Sequence, residues 1–122
     1  MDRFFVALGA VLAAVAVAAG AFGAHVLEQR LTPERLATFE LAARYQMYHA
    51  LALLLVGWAS TRWPGGATAA AGWLFVVGVL IFCGTVYALG LGAPRWFGAI
   101  TPIGGVSFIA GWLLLAWAAV SR

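Results

Sequence analysis

The sequence is poor in the residues on which most soluble binding and catalytic sites depend. It has one cysteine, four acidic residues, and no lysine or asparagine, and charged side chains make up 9% of its 122 residues. The single cysteine, Cys83, excludes an intrachain disulfide and a zinc site built from several thiolates. The seven basic residues are arginines scattered along the chain, so no basic patch predicts nucleic-acid binding.

Hydrophobic residues dominate what remains, at 65% of the chain. Soluble domains carry about 25% charged residues. A soluble protein of this size also keeps roughly a third of its unfolded surface wet, and this chain has too few polar residues to cover such a surface. The composition therefore predicts an integral membrane protein whose main partner is the lipid bilayer.

Four stretches are long and apolar enough to cross the hydrocarbon core, which takes about 20 residues. They cover residues 4–24, 41–60, 67–89 and 102–120. The first stretch is longer than the apolar core of a signal peptide. Since backbone groups in lipid must bond within their own segment, the spans should be helices. We predict an all-α, four-helix membrane bundle that forms a single domain over residues 1–122.

Two Thr-Pro pairs are typical helix starts, because threonine caps well and proline suits the first helical position. Thr32-Pro33 predicts a helical segment, amphipathic in character, ahead of the second span. That segment either lies on the membrane or runs on into the span. Thr101-Pro102 predicts the start of the last helix.

Small residues in the first span recur at spacings of three and four and indicate close helix packing. They are Gly9, Ala13, Ala16, Gly20 and Ala24. The same abundance of small residues predicts a tight bundle with few bulky side chains inside. The arginines divide almost evenly between the two membrane sides, and we expect both termini to be cytoplasmic.

The rare polar residues gather at the membrane side reached by the first and third connections. The candidate site residues are His25, Glu40, Arg44, Tyr45, Tyr48, His49, Tyr87 and Arg95. Glu40 and Arg44 are four residues apart and can form an ion pair. His49 should lie about 10 Å inside the hydrocarbon, at a depth where a polar side chain needs a partner within the bundle.

Three interpretations of this cluster stay open. In the first, it is an interfacial ion pair with a tyrosine belt that locks the bundle. In the second, it is a binding site for a small ligand, anion or proton, and in the third, a contact surface for a partner protein. Haem or quinone contact through His25, His49 and Tyr48 is a weaker form of the second interpretation.

Four segments together resemble the YgdD-type family of small four-span membrane proteins, which is catalogued as a domain of unknown function. They are AFGAHVL at 21–27, FELAARYQMYHALALL at 39–54, GTVYAL at 84–89 and AITPIGGVSFIAGW at 99–112. The likeness covers nearly the whole chain. It implies a multi-pass protein of the plasma (inner) membrane without an assigned activity.

No catalytic constellation is apparent, and we predict no enzyme, cofactor or metal site. Four-span multidrug exporters use a buried Glu in their first span, and this span has no acid after Asp2. Small fluoride channels use a buried Asn, which this sequence lacks. The first hypothesis is therefore a structural or accessory membrane component that assembles with itself as a homo-oligomer or within a larger complex. The alternative is ligand, anion or proton binding at the polar cluster.

Overall fold

The computed structural model describes residues 2–121, where the secondary structure consists of helices joined by short turns with no strand, which confirms the predicted all-α fold. Helix α1 spans Asp2–His25 and is followed by a short 3₁₀ turn, Leu27–Gln29. Helix α2 spans Pro33–Arg62. Helix α3 spans Gly66–Gly90 and contains a π-helical turn at Val79–Cys83. Helix α4 spans Phe97–Val120.

Three of these helices are long and apolar enough to cross a membrane. They are α1 with its following turn, Asp2–Gln29, then α3 and α4. Helix α2 is longer than any of them, but its first half carries most of the charged and amide side chains. By length and apolarity alone, the described residues thus contain three candidate spans and not the four predicted.

The Thr32-Pro33 signal is confirmed, because Thr32 Oγ1 accepts a hydrogen bond from the Arg35 backbone N–H at 3.2 Å. Helix α2 then runs unbroken for 30 residues, so the segment before the second span is continuous with it. The Thr101-Pro102 signal is wrong, since α4 begins at Phe97.

Helix α4 can begin early because the preceding turn already bonds its first N–H groups. The N–H groups of Phe97, Gly98 and Ala99 each donate to a carbonyl three residues back, at 2.9–3.1 Å. Thr101 therefore lies inside the helix, where its hydroxyl bonds the Phe97 carbonyl at 3.3 Å. Pro102 lies inside the helix, in its second turn, where its missing N–H removes one i→i−4 hydrogen bond.

Helices α1 and α2 pack through small residues that recur every seven positions. In α1 they are Gly9, Ala16 and Gly23, and in α2 the buried small residues include Ala43, Ala50 and Gly57 at the same spacing. A Cβ on Gly9 would lie 2.7 Å from the Ala50 carbonyl oxygen, so the two backbones are in direct contact there. The predicted stripe is right at Gly9 and Ala16 but wrong at Ala24, which is exposed. A seven-residue repeat selects Gly23 in its place, as in left-handed helix pairs.

Helices α3 and α4 pack differently, with aromatic rings seated on glycines of the facing helix. The Phe108 ring lies on Gly78, and the Phe75 ring lies on Gly111, each closer than a Cβ would allow. From α1, Phe5 reaches Gly72 in the same way. The expectation of few bulky side chains inside is therefore wrong. The glycines named here leave space for phenylalanine rings of the facing helices and do not serve for direct contact between two backbones.

Helix α2 is enclosed far more than α1. Eleven of its thirty residues are buried, whereas only four of the twenty-four in α1 are buried. The other helices therefore cover much of the surface that α2 would otherwise expose. This enclosure explains how the least apolar helix can carry polar side chains that would be costly in contact with lipid.

The neighbouring glycines Gly104 and Gly105 provide a test of α3–α4 packing. A Cβ on Gly104 would overlap the Phe82 backbone nitrogen, whereas one on Gly105 would be 3.9 Å from the Phe82 ring. We expect Gly104→Ala to destabilise the protein by about 1–3 kcal/mol, because backbone atoms must separate. Gly105→Ala should be neutral or stabilising, since alanine is the better helix former. Reversible unfolding in mixed micelles measures both, and equal effects would contradict this packing.

Candidate functional site

The predicted polar cluster divides according to which face of α2 each residue occupies. Gln46 and His49 are three residues apart, on one face, and each is only 4% exposed. Tyr48 is 52% exposed, and Arg44 is also on the surface. The inward face of α2 thus carries an amide and an imidazole, and the charged side chain lies outside.

His49 uses both of its ring nitrogens within the protein. Trp112 Nε1–H on α4 donates to His49 Nε2 at 3.1 Å, which requires Nε2 to carry no proton. His49 Nδ1 lies 2.8 Å from the Tyr45 carbonyl oxygen, which can only accept. The hydrogen-bond pattern therefore assigns the neutral tautomer with the proton on Nδ1.

Aromatic rings surround the His49 imidazole. The Phe108 ring stacks on it with centroids 3.6 Å apart and planes within 9°. The Tyr45 ring is 6.3 Å away and the Phe75 ring is 5.6 Å away. We call His49, Tyr45, Phe75, Phe108 and Trp112 the histidine cluster. It joins α2, α3 and α4 through ring packing and one hydrogen bond between helices.

Gln46 makes a second connection, which the sequence analysis did not anticipate. Its Nε2 donates to the Leu12 carbonyl of α1 at 2.8 Å, and its Oε1 accepts from the Tyr87 hydroxyl of α3 at 2.8 Å. One amide therefore links three helices. The available signal was its position three residues before His49, which puts a second polar side chain on the same buried face.

Hydroxyl groups complete the contact between α3 and α4. Ser107 donates to the Leu74 carbonyl at 2.6 Å, and the Thr85 and Thr101 hydroxyls lie 2.6 Å apart. Within residues 2–121, every buried side-chain nitrogen or oxygen has a hydrogen-bond partner. In hydrocarbon such pairing matters, because no water is present to replace a missing partner.

The structure brings together only part of the predicted site. Tyr45 and His49 belong to the histidine cluster, Tyr48 adds a ring 5.4 Å from Tyr45, and Tyr87 joins through Gln46. His25 is exposed at the end of α1, and Arg95 is exposed in the turn before α4. Their exposure places both outside the buried histidine cluster, and their position on the same membrane side stays a prediction.

Glu40 and Arg44 lie elsewhere, in a groove between α1 and α2. The groove has a volume of about 420 Å³, and Ala16, Gly20 and Met47 line it with them. Among residues 2–121, the structure does not join the two in the predicted ion pair. Their position four residues apart allows such a pair, but both side chains reach the surface, where an ion pair contributes little.

The chemistry open to the histidine cluster is limited by these bonds. His49 could take up a proton at Nε2 only by releasing Trp112, and it could bind a metal only by releasing Trp112 or Tyr45. Among the described residues, no group of three or more His, Cys, Asp or Glu side chains is placed to hold a metal ion. The arrangement is suited to holding helices together.

Comparison with known proteins gives a consistent result over nearly the whole chain. A family model described as "Protein of unknown function (DUF423)" matches residues 19–105. A UPF0382 membrane protein of Staphylococcus epidermidis (strain ATCC 12228 / FDA PCI 1200) is 47% identical over 123 residues, covering 98% of this chain and 97% of the relative. The UPF0382 membrane protein YwdK of Bacillus subtilis (strain 168) is 41% identical over 120 residues, covering 98% of each. No solved structure gives a significant match.

A double-mutant cycle tests the bond between His49 and Trp112. Trp112→Phe leaves the buried His49 Nε2 without a donor, and we expect it to lower the free energy of unfolding by about 1 kcal/mol in mixed micelles. In a His49→Leu background the same change should cost much less, because no acceptor remains. Trp117→Phe, on the 60%-exposed Trp117 of the same helix, is the control. Equal costs of Trp112→Phe in both backgrounds would show that the bond contributes nothing.

Proposed function

The chain belongs to the DUF423 family of membrane proteins, and on that basis we propose that it is a four-span, non-enzymatic structural or accessory component of the plasma membrane. In this proposal the whole chain is one transmembrane domain with both termini in the cytoplasm. The observation that carries the proposal is the complete internal pairing of the buried polar side chains. Groups that a catalytic or transport site would present to a substrate are used here to join helices.

Helix α2 is less apolar than the other helices, so a membrane crossing by α2 requires a physical explanation. Its 30 residues correspond to about 45 Å, more than the thickness of the hydrocarbon core. Its most polar inward residues, Gln46 and His49, are covered by neighbouring helices and hydrogen-bonded to them. A polar residue shielded in this way does not face lipid, so a crossing by α2 costs less than its hydropathy suggests.

Single cysteines test the four-span arrangement. In a Cys83→Ala background, we expect Thr61→Cys and Ser121→Cys to react with a membrane-impermeant maleimide from one side only. Arg30→Cys and Pro94→Cys should react only from the other side. If α2 does not cross the membrane, Arg30→Cys and Thr61→Cys will react from the same side, and the four-span proposal fails.

The pairing within the histidine cluster also supports a non-enzymatic role. A general base or a haem ligand needs a free imidazole nitrogen directed at the reacting group or the iron. Both nitrogens of His49 are bonded, and the stacked Phe108 ring covers one face of the imidazole. We therefore infer that this histidine sets the relative positions of α2 and α4.

One observation favours a second candidate, the binding of a small ligand, anion or proton. The groove between α1 and α2 combines an accessible arginine, Arg44, with a half-buried acid, Glu40. Its floor is open at Gly20, where a Cβ would meet nothing within 4 Å. This groove has free volume next to charged groups, which the histidine cluster lacks.

Two measurements on the same purified protein separate the candidates. An accessory role predicts that the 12.8 kDa chain migrates in mild detergent as a homo-oligomer or a complex of fixed stoichiometry. It also predicts liposome fluxes of protons and chloride no higher than in protein-free liposomes. The second candidate, in the form in which the bound anion or proton also crosses the membrane, predicts a flux that Arg44→Ala abolishes and that the control Arg35→Ala leaves intact. A protein that stays monomeric at every concentration tested would contradict assembly.

A further inference from the structure

An apolar groove lies on the outer surface of the bundle, between the C-terminal halves of α2 and α4. Three indole rings line it, those of Trp58, Trp63 and Trp112, and its volume is about 260 Å³. Alanines such as Ala59 and Ala116 leave room between the rings. The groove is thus a concave strip of aromatic and methyl surface that faces the lipid.

The groove follows the helix axes. Its first wall extends over nine residues, from Leu55 in α2 to Trp63 at the C-cap, and is about 12 Å long; its α4 wall extends from Trp112 to Ala119, about 10 Å. One end reaches the end of α2 and the other reaches the histidine cluster at Trp112. Its length and direction suit one segment of an extended hydrocarbon chain lying parallel to the helices.

A second cavity adjoins the outer end of this groove and has a different chemistry. Its volume is about 270 Å³, and Arg62, Thr68 and Ser121 line it together with Trp63, which belongs to both cavities. Among the described residues, no Asp or Glu lines either cavity. The guanidinium of Arg62 is therefore the one charged group that the described lining presents.

Hydrogen bonds hold the aromatic walls in place. The backbone N–H of Trp63 donates to the Ala59 carbonyl at 2.6 Å, and its carbonyl accepts from the Thr68 hydroxyl. Trp58 lies edge-on to Trp63 with ring centroids 5.2 Å apart, and the Arg62 guanidinium lies 5.7 Å from the Trp58 ring centroid. At the inner end, Trp112 is bonded to His49. The walls are preorganised, which lowers the entropic cost of binding.

We propose that these two cavities form a binding site for one anionic phospholipid, with an acyl chain in the tryptophan groove and the phosphate at Arg62. A guanidinium binds phosphate oxygens through paired N–H donors, and this geometry is specific to arginine. Tryptophan side chains are typical of the level at which acyl chain and headgroup meet. Arg62 is the one charged group in the described lining, and a guanidinium repels the choline cation of a zwitterionic lipid, so the site favours an anionic one.

The experiment compares phosphatidylglycerol with phosphatidylcholine of identical acyl chains. The purified full chain in detergent is mixed with both lipids, and native mass spectrometry counts the molecules that remain bound. We expect one phosphatidylglycerol per chain, preferred about fivefold over phosphatidylcholine. Both phosphates can accept from the guanidinium, but only phosphatidylcholine carries a choline cation that Arg62 repels, and one arginine near the surface contributes about 1 kcal/mol toward an anionic lipid. Arg62→Gln should bring the two lipids close to equal retention.

Matched variants separate the parts of the site. Arg3→Gln removes another arginine outside both cavities and should leave the preference unchanged. Ala116→Trp fills the groove and should lower retention of both lipids, whereas Leu113→Trp, at a 66%-exposed position outside the groove, should not. Circular dichroism and detergent stability of each variant confirm that it is folded.

Three results would overturn the proposal. The first is retention of both lipids without fixed stoichiometry, which indicates surface lipid only. The second is an unchanged preference in folded Arg62→Gln protein. The third is equal loss of lipid in the Ala116→Trp and Leu113→Trp variants. Binding of inorganic phosphate alone with the same affinity would also count against a lipid, since the groove would then contribute nothing.

Discussion

The structure depends on one constraint, which is that a polar side chain inside a membrane must find its partner within the protein. Helix α2 carries Gln46 and His49 on its inward face, and each needs donors or acceptors from other helices. Leu12 and Tyr87 meet the first requirement, and Trp112 meets the second. Because those partners come from α1, α3 and α4, meeting the needs of α2 also defines the arrangement of the bundle.

Close helix contact makes those bonds possible, and it is achieved in two ways. Between α1 and α2 the small residues at seven-residue spacing bring the backbones together, so that Gln46 can reach a carbonyl of α1. Between α3 and α4 the glycines receive phenylalanine rings, and one of these rings, Phe108, also stacks on His49. Packing and polar pairing therefore share residues, and a substitution in one affects the other.

The functional proposals follow from where the polar groups are used and where they are free. Inside the bundle they are paired, which favours a structural role for the histidine cluster. At the surface, Arg62 and Arg44 border cavities with free volume. A small membrane protein with a rigid interior and charged outer grooves is suited to contacts with lipids, small anions or neighbouring proteins at its periphery.

The sequence by itself determined the membrane class, the all-helical fold, the family and the start of α2 at Thr32-Pro33. These follow from composition, from the backbone's need for internal hydrogen bonds in lipid, and from local capping. It also placed His49 among the buried residues, because depth can be counted along a helix.

Only the tertiary structure decided which faces of the helices meet. A helix that is apolar on all sides gives no signal of which face is buried. The sequence pattern therefore could not predict that Gly23 rather than Ala24 is buried against α2, or that phenylalanine rings pack on the glycines of α3 and α4. The link between Gln46 and Tyr87 joins residues 41 positions apart, and the separation of Glu40 and Arg44 from the histidine cluster depends on how α2 turns among its neighbours. Both are properties of helix packing, which the linear spacing of residues does not contain.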